Sequence, residues 1–355
     1  MLDRIKRAQA VIEDACEALG RQINVMEVCG THTVSIFRHG VRSLLPKRFK
    51  LLSGPGCPVC VTDQGYMDQA LALADREDVI IATYGDMIRV PGRYGSLETR
   101  QAQARVRIVV SSEDALQLAV DHPDKTVVFL AVGFETTTPA TAVVIRDAAG
   151  RSITNFCVLC GHKLVVPAME ALLSSKNEKI DAFLCPGHVS VIIGVDAYKP
   201  VVETFGRPCV VAGFEAVQIM EGLAAICTQL AAGEPALGSV YGAVVTTRGN
   251  TVAQRIVDEC FEVTDGPWRG LGVIPGSVLR LRDAFAAYDA EKRFQLKTPD
   301  PSPPTGCRCG EVLCGLIDPP QCGLFGKRCS PQAPVGPCMV SSEGACSAWY
   351  KYGAY

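Results

Sequence analysis

Aromatic residues are scarce in this 355-residue chain, at 6% of positions with only two tryptophans, so no aromatic stacking platform is on offer. Basic residues show no excess either. Thirty-five lysines and arginines against 37 acidic residues leave a formal charge of −2, scattered along the chain, and nothing marks a nucleic-acid binder. No apolar run reaches the roughly 20 residues that a membrane-spanning helix needs. The opening MLDRIKRAQAVIEDACEALG has no apolar signal core behind its basic residues and reads as an amphipathic helix, so a cytoplasmic location is expected. The pattern G-x-x-x-x-G-K-[ST] is missing, which counts against a P-loop nucleotide hydrolase. Low complexity is confined to LKTPDPSPPTG, residues 296–306, a Pro-rich spacer.

What the chain has in quantity is cysteine. Seven of seventeen fall in the tail: Cys307, Cys309, Cys314, Cys322, Cys329, Cys338 and Cys346. Glycine and proline separate them, and such a loop-rich stretch buries too little apolar surface to offset its ordering entropy. Disulfides or a metal centre must therefore hold it. Reducing surroundings and an odd cysteine count favour a metal or redox role. Zinc sites usually show close C-x2–4-C pairs. Here the gaps are long, Cys307-x14-Cys322-x6-Cys329-x16-Cys346, which suits a [4Fe–4S] cluster fed from separate loops. A structural zinc knot is the alternative, and spacing does not decide which four of the seven bind.

Ahead of the tail, short apolar runs alternate with helical patterns, the signature of parallel sheets. The expected fold is α/β: two similar parallel-sheet domains facing a central cleft, plus a loop-rich C-terminal iron–sulfur domain. Residues 1–48 supply an N-terminal helix and a Cys-Gly-Thr-His-Thr segment that packs with the later domains. Residues 49–150 and 151–235 make the two α/β domains, and 236–355 the C-terminal domain. A Gly-Phe-Glu at 133–135 and again at 213–215 hints at the likeness of the two halves.

Ligands of parallel sheets bind beyond the carboxyl ends of the strands, and the unusual polar residues fall there. Cys29 ends the run INVMEVCG where a helical pattern starts, so the helix N-terminus favours its thiolate, with His32 placed to assist or to bind metal. Cys57-Pro-Val-Cys60 sits between a strand and a helix, as thiol redox pairs do. Asp86, Glu135, Thr136, Thr137, His162, His188 and Glu215 occupy similar turns. The bland reading of each is a capped helix start or a structural thiol; together they point to one cleft. Cys157, Cys160, Cys209, Cys227 and Cys260 lie inside apolar elements and read as core residues.

Five motifs in order resemble the HypD family of hydrogenase maturation factors over essentially the whole chain. They are Cys29-Gly-Thr-His-Thr33, Gly54-Pro-Gly-Cys-Pro-Val-Cys60, Gly133-Phe-Glu-Thr-Thr-Thr-Pro139, Pro186-Gly-His-Val-Ser190 and Gly336-Pro-Cys-Met-Val-Ser-Ser-Glu-Gly-Ala-Cys346. The resemblance implies an assembly scaffold, rather than a conventional turnover enzyme, for the Fe(CN)2CO unit of [NiFe]-hydrogenases. It further implies a small partner, HypC, that shares the iron, and HypE as cyanide donor. Cys29 is then the iron-binding thiolate, and Cys307, Cys322, Cys329 and Cys346 are the [4Fe–4S] ligands. Cys309 and Cys338 form a thiol pair near the cluster, and Cys314 has no assigned role. On this reading Cys57 and Cys60 relay electrons toward Cys29, His32 orients the iron ligands, and Glu135, Thr136 and His188 bind or protonate an incoming group. The competing classes are a cluster-dependent thiol–disulfide oxidoreductase acting on a protein substrate, and a nucleotide hydrolase.

Overall fold

The computed structural model describes residues 2–101, 105–175, 179–297 and 306–353. The strands in chain order are β1 (Ile23–Glu27), β2 (Phe49–Ser53), β3 (Val79–Thr83), β4 (Val106–Ile108), β5 (Thr126–Gly133), β6 (Phe156–His162), β7 (Ala182–Pro186), β8 (Cys209–Ala212), β9 (Leu237–Ser239), β10 (Phe261–Trp268) and β11 (Gly272–Leu281). They form two parallel sheets, ordered β2-β1-β7-β8-β9 and β4-β3-β5-β6, and an antiparallel hairpin of β10 with β11. The α/β class with parallel sheets is as expected from the alternation of apolar runs and helical patterns.

Burial follows the two-residue period of extended chain. In β5, Val127, Phe129 and Ala131 face one core while Val128, Leu130 and Val132 face another. In β7, Ala182 and Leu184 are likewise split from Phe183 and Cys185. The core holding Val128, Leu130, Phe183 and Cys185 therefore takes one face from each sheet. The outer face of the first sheet is covered by helices Leu2–Leu19 and Ala216–Ala232 through Ile12, Ile219 and Leu223. Helices Ser112–Asp121 and Thr138–Gly150 cover the second sheet through Leu116 and Ile145. Strands covered on both faces read as continuous apolar runs, and β3, VIIAT, is buried throughout.

The boundaries expected at 48/49 and 150/151 do not follow the sheets. Strand β2 pairs with β1, and β6 pairs with β5. The chain lays down β1 and β2, leaves to build the other sheet from β3 to β6, and returns with β7. An apolar run records that a strand is buried on both faces, but not which sheet buries it.

The tail is docked on this body through short helices and loops. Trp349 packs edge-on against Phe37 at 5.2 Å, with the Arg42 guanidinium over both rings. Lys50 pairs with Asp318 at 2.9 Å. Of the spacer expected at 296–306, residues 298–305 lie outside the described residues. Among the described residues, no helix is long and apolar enough to cross a membrane.

Candidate metal and thiol site

Cys29 sits between β1 and the helix Gly30–Arg38, with extended φ −150° and ψ 122°. The Gly-Pro-Gly turn after β2 lies directly on it. Gly30 N–H donates to the Gly56 carbonyl at 3.0 Å. A Cβ on Gly56 would stand 2.1 Å from the Cys29 nitrogen, so only glycine fits this close approach. Beneath the turn is Glu27, which accepts from the Thr33 hydroxyl at 2.5 Å and the Cys29 N–H at 3.3 Å; burial pushes its carboxyl up to about 8.

Burial also pushes the Cys29 thiol up to about 12, against the pull of the His32 and Thr31 backbone N–H groups, while Glu343 and Glu27 push the same way as burial. The thiolate expected from the helix N-terminus is thus outweighed by desolvation. A soft metal reverses that balance, because coordination itself displaces the thiol proton.

A cavity of about 570 Å³ lies beyond the carboxyl ends of β1, β3, β5 and β7, and Cys29, Asp86, Thr136, Thr137, His188 and Glu343 are on its wall. His188 is exposed and stacks on Phe214 at 4.0 Å, and burial of its ring lowers its pKa. His32 packs against the same Phe214 at 4.8 Å but is fully buried, outside the described lining. Its Nε2 donates to the Gly213 carbonyl at 3.0 Å, and burial lowers it to about 4, so the ring is neutral at physiological pH. Its support of Cys29 comes through the backbone N–H.

Cys57 and Cys60, expected in the same cleft, are also outside that described lining, and so are Glu135, His162 and Glu215. Glu135 turns its carboxylate to the Val165 N–H at 2.9 Å, and burial pushes it up to about 7. His162 bonds to the Thr141 hydroxyl at 3.0 Å and lines a different cavity. Glu215 caps the helix Ala216–Ala232 with Gln218. The repeated Gly-Phe-Glu therefore does two different jobs.

The tail closes one side of the cavity. The Thr31 hydroxyl donates to Glu343 at 2.6 Å. Ser341 Oγ, Ser342 N and Ser342 Oγ all donate to one oxygen of Asp86, at 3.0, 2.9 and 3.0 Å. Cys57 Sγ lies 3.3 Å from Ser341 Oγ. The sequence reading gave residues 341–343 no role. Their signal was a run of two hydroxyls and an acid held between cysteines in a loop.

Cys307, Cys309, Cys322, Cys329, Cys338 and Cys346 all line a second, smaller cavity. Burial raises Cys346, and the thiols of Cys307, Cys329, Cys309 and Cys322 raise it further, so these groups face one another. From this wall a line of thiols runs back to Cys57, whose neighbours Gly56 and Pro58 line the first cavity. Cys338 is held below its usual range by hydrogen bonds from Cys309 and Cys60. Cys60 is raised, by burial first and then by its bonds to Cys338 and Cys57. Cys60 is therefore no ready thiolate, because burial leaves its charge unsolvated. Cys314 is half-buried and is outside the described lining.

Among the described residues no three His, Cys, Asp or Glu side chains could hold one metal ion. The smaller cavity nevertheless presents sulfur donors and no carboxylate or imidazole. Thiolates of a [4Fe–4S] cluster each take a different iron, so they line a wall instead of meeting at a point. A wall whose metal-ligating side chains are sulfur, with Cys307, Cys322, Cys329 and Cys346 among them, fits such a group.

The chain matches the family described as HypD, "Hydrogenase formation hypA family", over residues 3–353. The hydrogenase maturation factor HypD of Azotobacter vinelandii is 46% identical over 341 residues, covering 94% of this chain and 90% of the relative. That of Escherichia coli K12 is 45% identical over 339 residues, with 94% and 90% covered. The hydrogenase expression/formation protein HupD of Azotobacter chroococcum is 45% identical over 341 residues, with the same coverage. The five motifs, the parallel-sheet body and these matches along nearly the full length agree, and the chain belongs to the HypD family of hydrogenase maturation factors.

Proposed function

We propose that this chain is the scaffold on which the Fe(CN)2CO unit of [NiFe]-hydrogenases is assembled, together with HypC and with cyanide received from HypE. The observation that carries the reading is the position of Cys29, on the wall of an open cavity that the tail closes on one side through Glu343, with the Gly56 turn that leads into Cys57 packed directly on it. Low-spin iron bearing cyanide and carbonyl prefers soft sulfur, and Cys29 offers a thiol held neutral until the metal arrives.

A [4Fe–4S] cluster held by Cys307, Cys322, Cys329 and Cys346 would supply electrons one at a time. Cys309 with Cys338, and Cys57 with Cys60, hold electrons in pairs as dithiols. Thr136, Thr137 and His188 offer hydrogen bonds to a group entering the cavity, and Glu343 sets a carboxylate on the same wall as Cys29. Glu27 and the bare Gly54-Pro-Gly56 turn fix the Cys29 backbone, while the tail loop at Asp86 limits water on one side.

Infrared spectra of the purified protein with HypC test the reading. Cyanide and carbonyl stretches are the expected result. Iron bound to the complex with neither band would defeat it. The line of thiols also favours a second reading, a thiol–disulfide oxidoreductase acting on a protein, which predicts turnover of a generic disulfide without HypC.

A further inference from the structure

Arg269 is 3% exposed, and the described ion pairs give it no carboxylate partner. Its Nε donates to the Thr62 carbonyl at 2.7 Å and one Nη to Gln64 Oε1 at 3.3 Å; the other Nη has no hydrogen-bond partner. An uncompensated buried charge is strongly unfavourable, so this guanidinium calls for an anion. The backbone around it shows which part of the tail it lies beside. Gly270 has φ +78°, and a Cβ there would stand 2.3 Å from Gly310 Cα. A Cβ on Gly310 would in turn stand 2.7 Å from Gly270 Cα. Two glycines in direct contact press the β10–β11 turn onto the helix Cys309–Leu313 at its first residues. Arg269 is also the cation that acts on both Cys307 and Cys309, opposing the hydrogen bonding and burial that dominate at Cys307.

We propose that Arg269 is the built-in counter-cation of the thiol wall, offsetting negative charge on the Cys307 and Cys309 side and so setting the reduction potential of that centre. Adding an electron to the centre, or two electrons and one proton to its disulfide so that Cys338 is left as thiolate, adds negative charge, and a fixed buried cation favours the more reduced state. Part of this rests on the cluster reading above; the dithiol part does not.

Two variants remove the net charge differently. Arg269→Gln deletes the cation, and Gln64→Glu leaves the arginine in place but pairs it, with little change in volume. Arg269→Lys keeps the charge. In protein reconstituted with iron and sulfide, the midpoint potential is read by redox titration of the visible absorption. Both neutralising variants are expected to move it to more negative values by about tenfold in the oxidised-to-reduced ratio, 59 mV for one electron; Arg269→Lys stays near the parent.

In metal-free protein the same variants are equilibrated with glutathione. Cys338 as thiolate and Cys309 as thiol give up two electrons and one proton to oxidised glutathione, which takes a second proton from solvent, yielding one protein disulfide and two reduced glutathiones. Neutralisation is expected to make that disulfide form about tenfold more readily. If the parent protein takes up no iron and sulfide, the cluster reading fails and Arg269 is judged on the glutathione equilibrium alone. Potentials and equilibria unchanged in both neutralising variants would overturn the role of Arg269.

Discussion

Cys227 and Cys346 are both thiols that burial has pushed upward, yet they belong to different kinds of environment. Cys227 lies within the helix Ala216–Ala232, surrounded by the aliphatic residues of an outer core, and Cys16 is the thiol that raises it further. Cys260, another of this kind, spends its S–H on the Ala142 carbonyl at 3.5 Å. Cys346 feels four other thiols and shares a cavity wall with them. Burial alone therefore says little about a cysteine's role. What separates the populations is whether neighbouring sulfur shares the site, and that depends on loops, which can bring together residues far apart in sequence.

The comparison breaks most sharply at a tail thiol. Cys322→Ser should cost essentially all iron and inorganic sulfide retained after reconstitution, measured by chemical analysis. Full retention would show that the wall is not a ligand set. Next in size is Gly344→Ala. A Cβ there would meet the Cys338 carbonyl oxygen at 2.1 Å, against backbone that cannot rotate away. Overpacking of this kind costs roughly 1–3 kcal/mol. Urea unfolding should show the loss, together with faster proteolysis between Cys338 and Cys346. An unchanged midpoint would mean that the tail is looser than its packing implies.

A smaller effect is expected at the bridge between the two regions. Cys60→Ala should leave the cluster's absorption in place and reduce reversible oxidant uptake by one disulfide, by thiol titration before and after reduction. Equal uptake would remove Cys57 and Cys60 from the redox set. Smallest is Cys227→Ala, a core truncation of about 1 kcal/mol, with iron content and thiol reactivity unaltered. Any loss of iron there would erase the distinction between the two populations.

Much of this was legible in the sequence. The apolar runs announced parallel strands because both faces of each strand are covered, and the tail's Gly and Pro announced loops. The position of Cys29 between β1 and a helix was also visible. Sheet membership was not, because β2 and β6 look like any buried strand, and pairing is decided by contacts between β1 and β2 or β5 and β6 that no local pattern encodes. Thiol acidity was misjudged for a related reason: the helix end near Cys29 is local, whereas the burial that outweighs it comes from segments such as the Gly56 turn, with Glu343 from the distant tail pushing the same way. Glu343 and Arg269 were missed because each gains meaning from a partner some 40 to 310 residues away, Thr31 for the first and Cys309 for the second.

The account's central claim is that the two regions divide the work, the tail holding a cluster and Cys29 holding the iron under assembly. It is tested most directly by Cys29→Ala purified with HypC and examined by visible and infrared spectroscopy on the same sample. The account predicts unchanged cluster absorption with the cyanide and carbonyl bands lost. Bands at parental intensity would contradict it and would move the iron to Cys57 or Cys60.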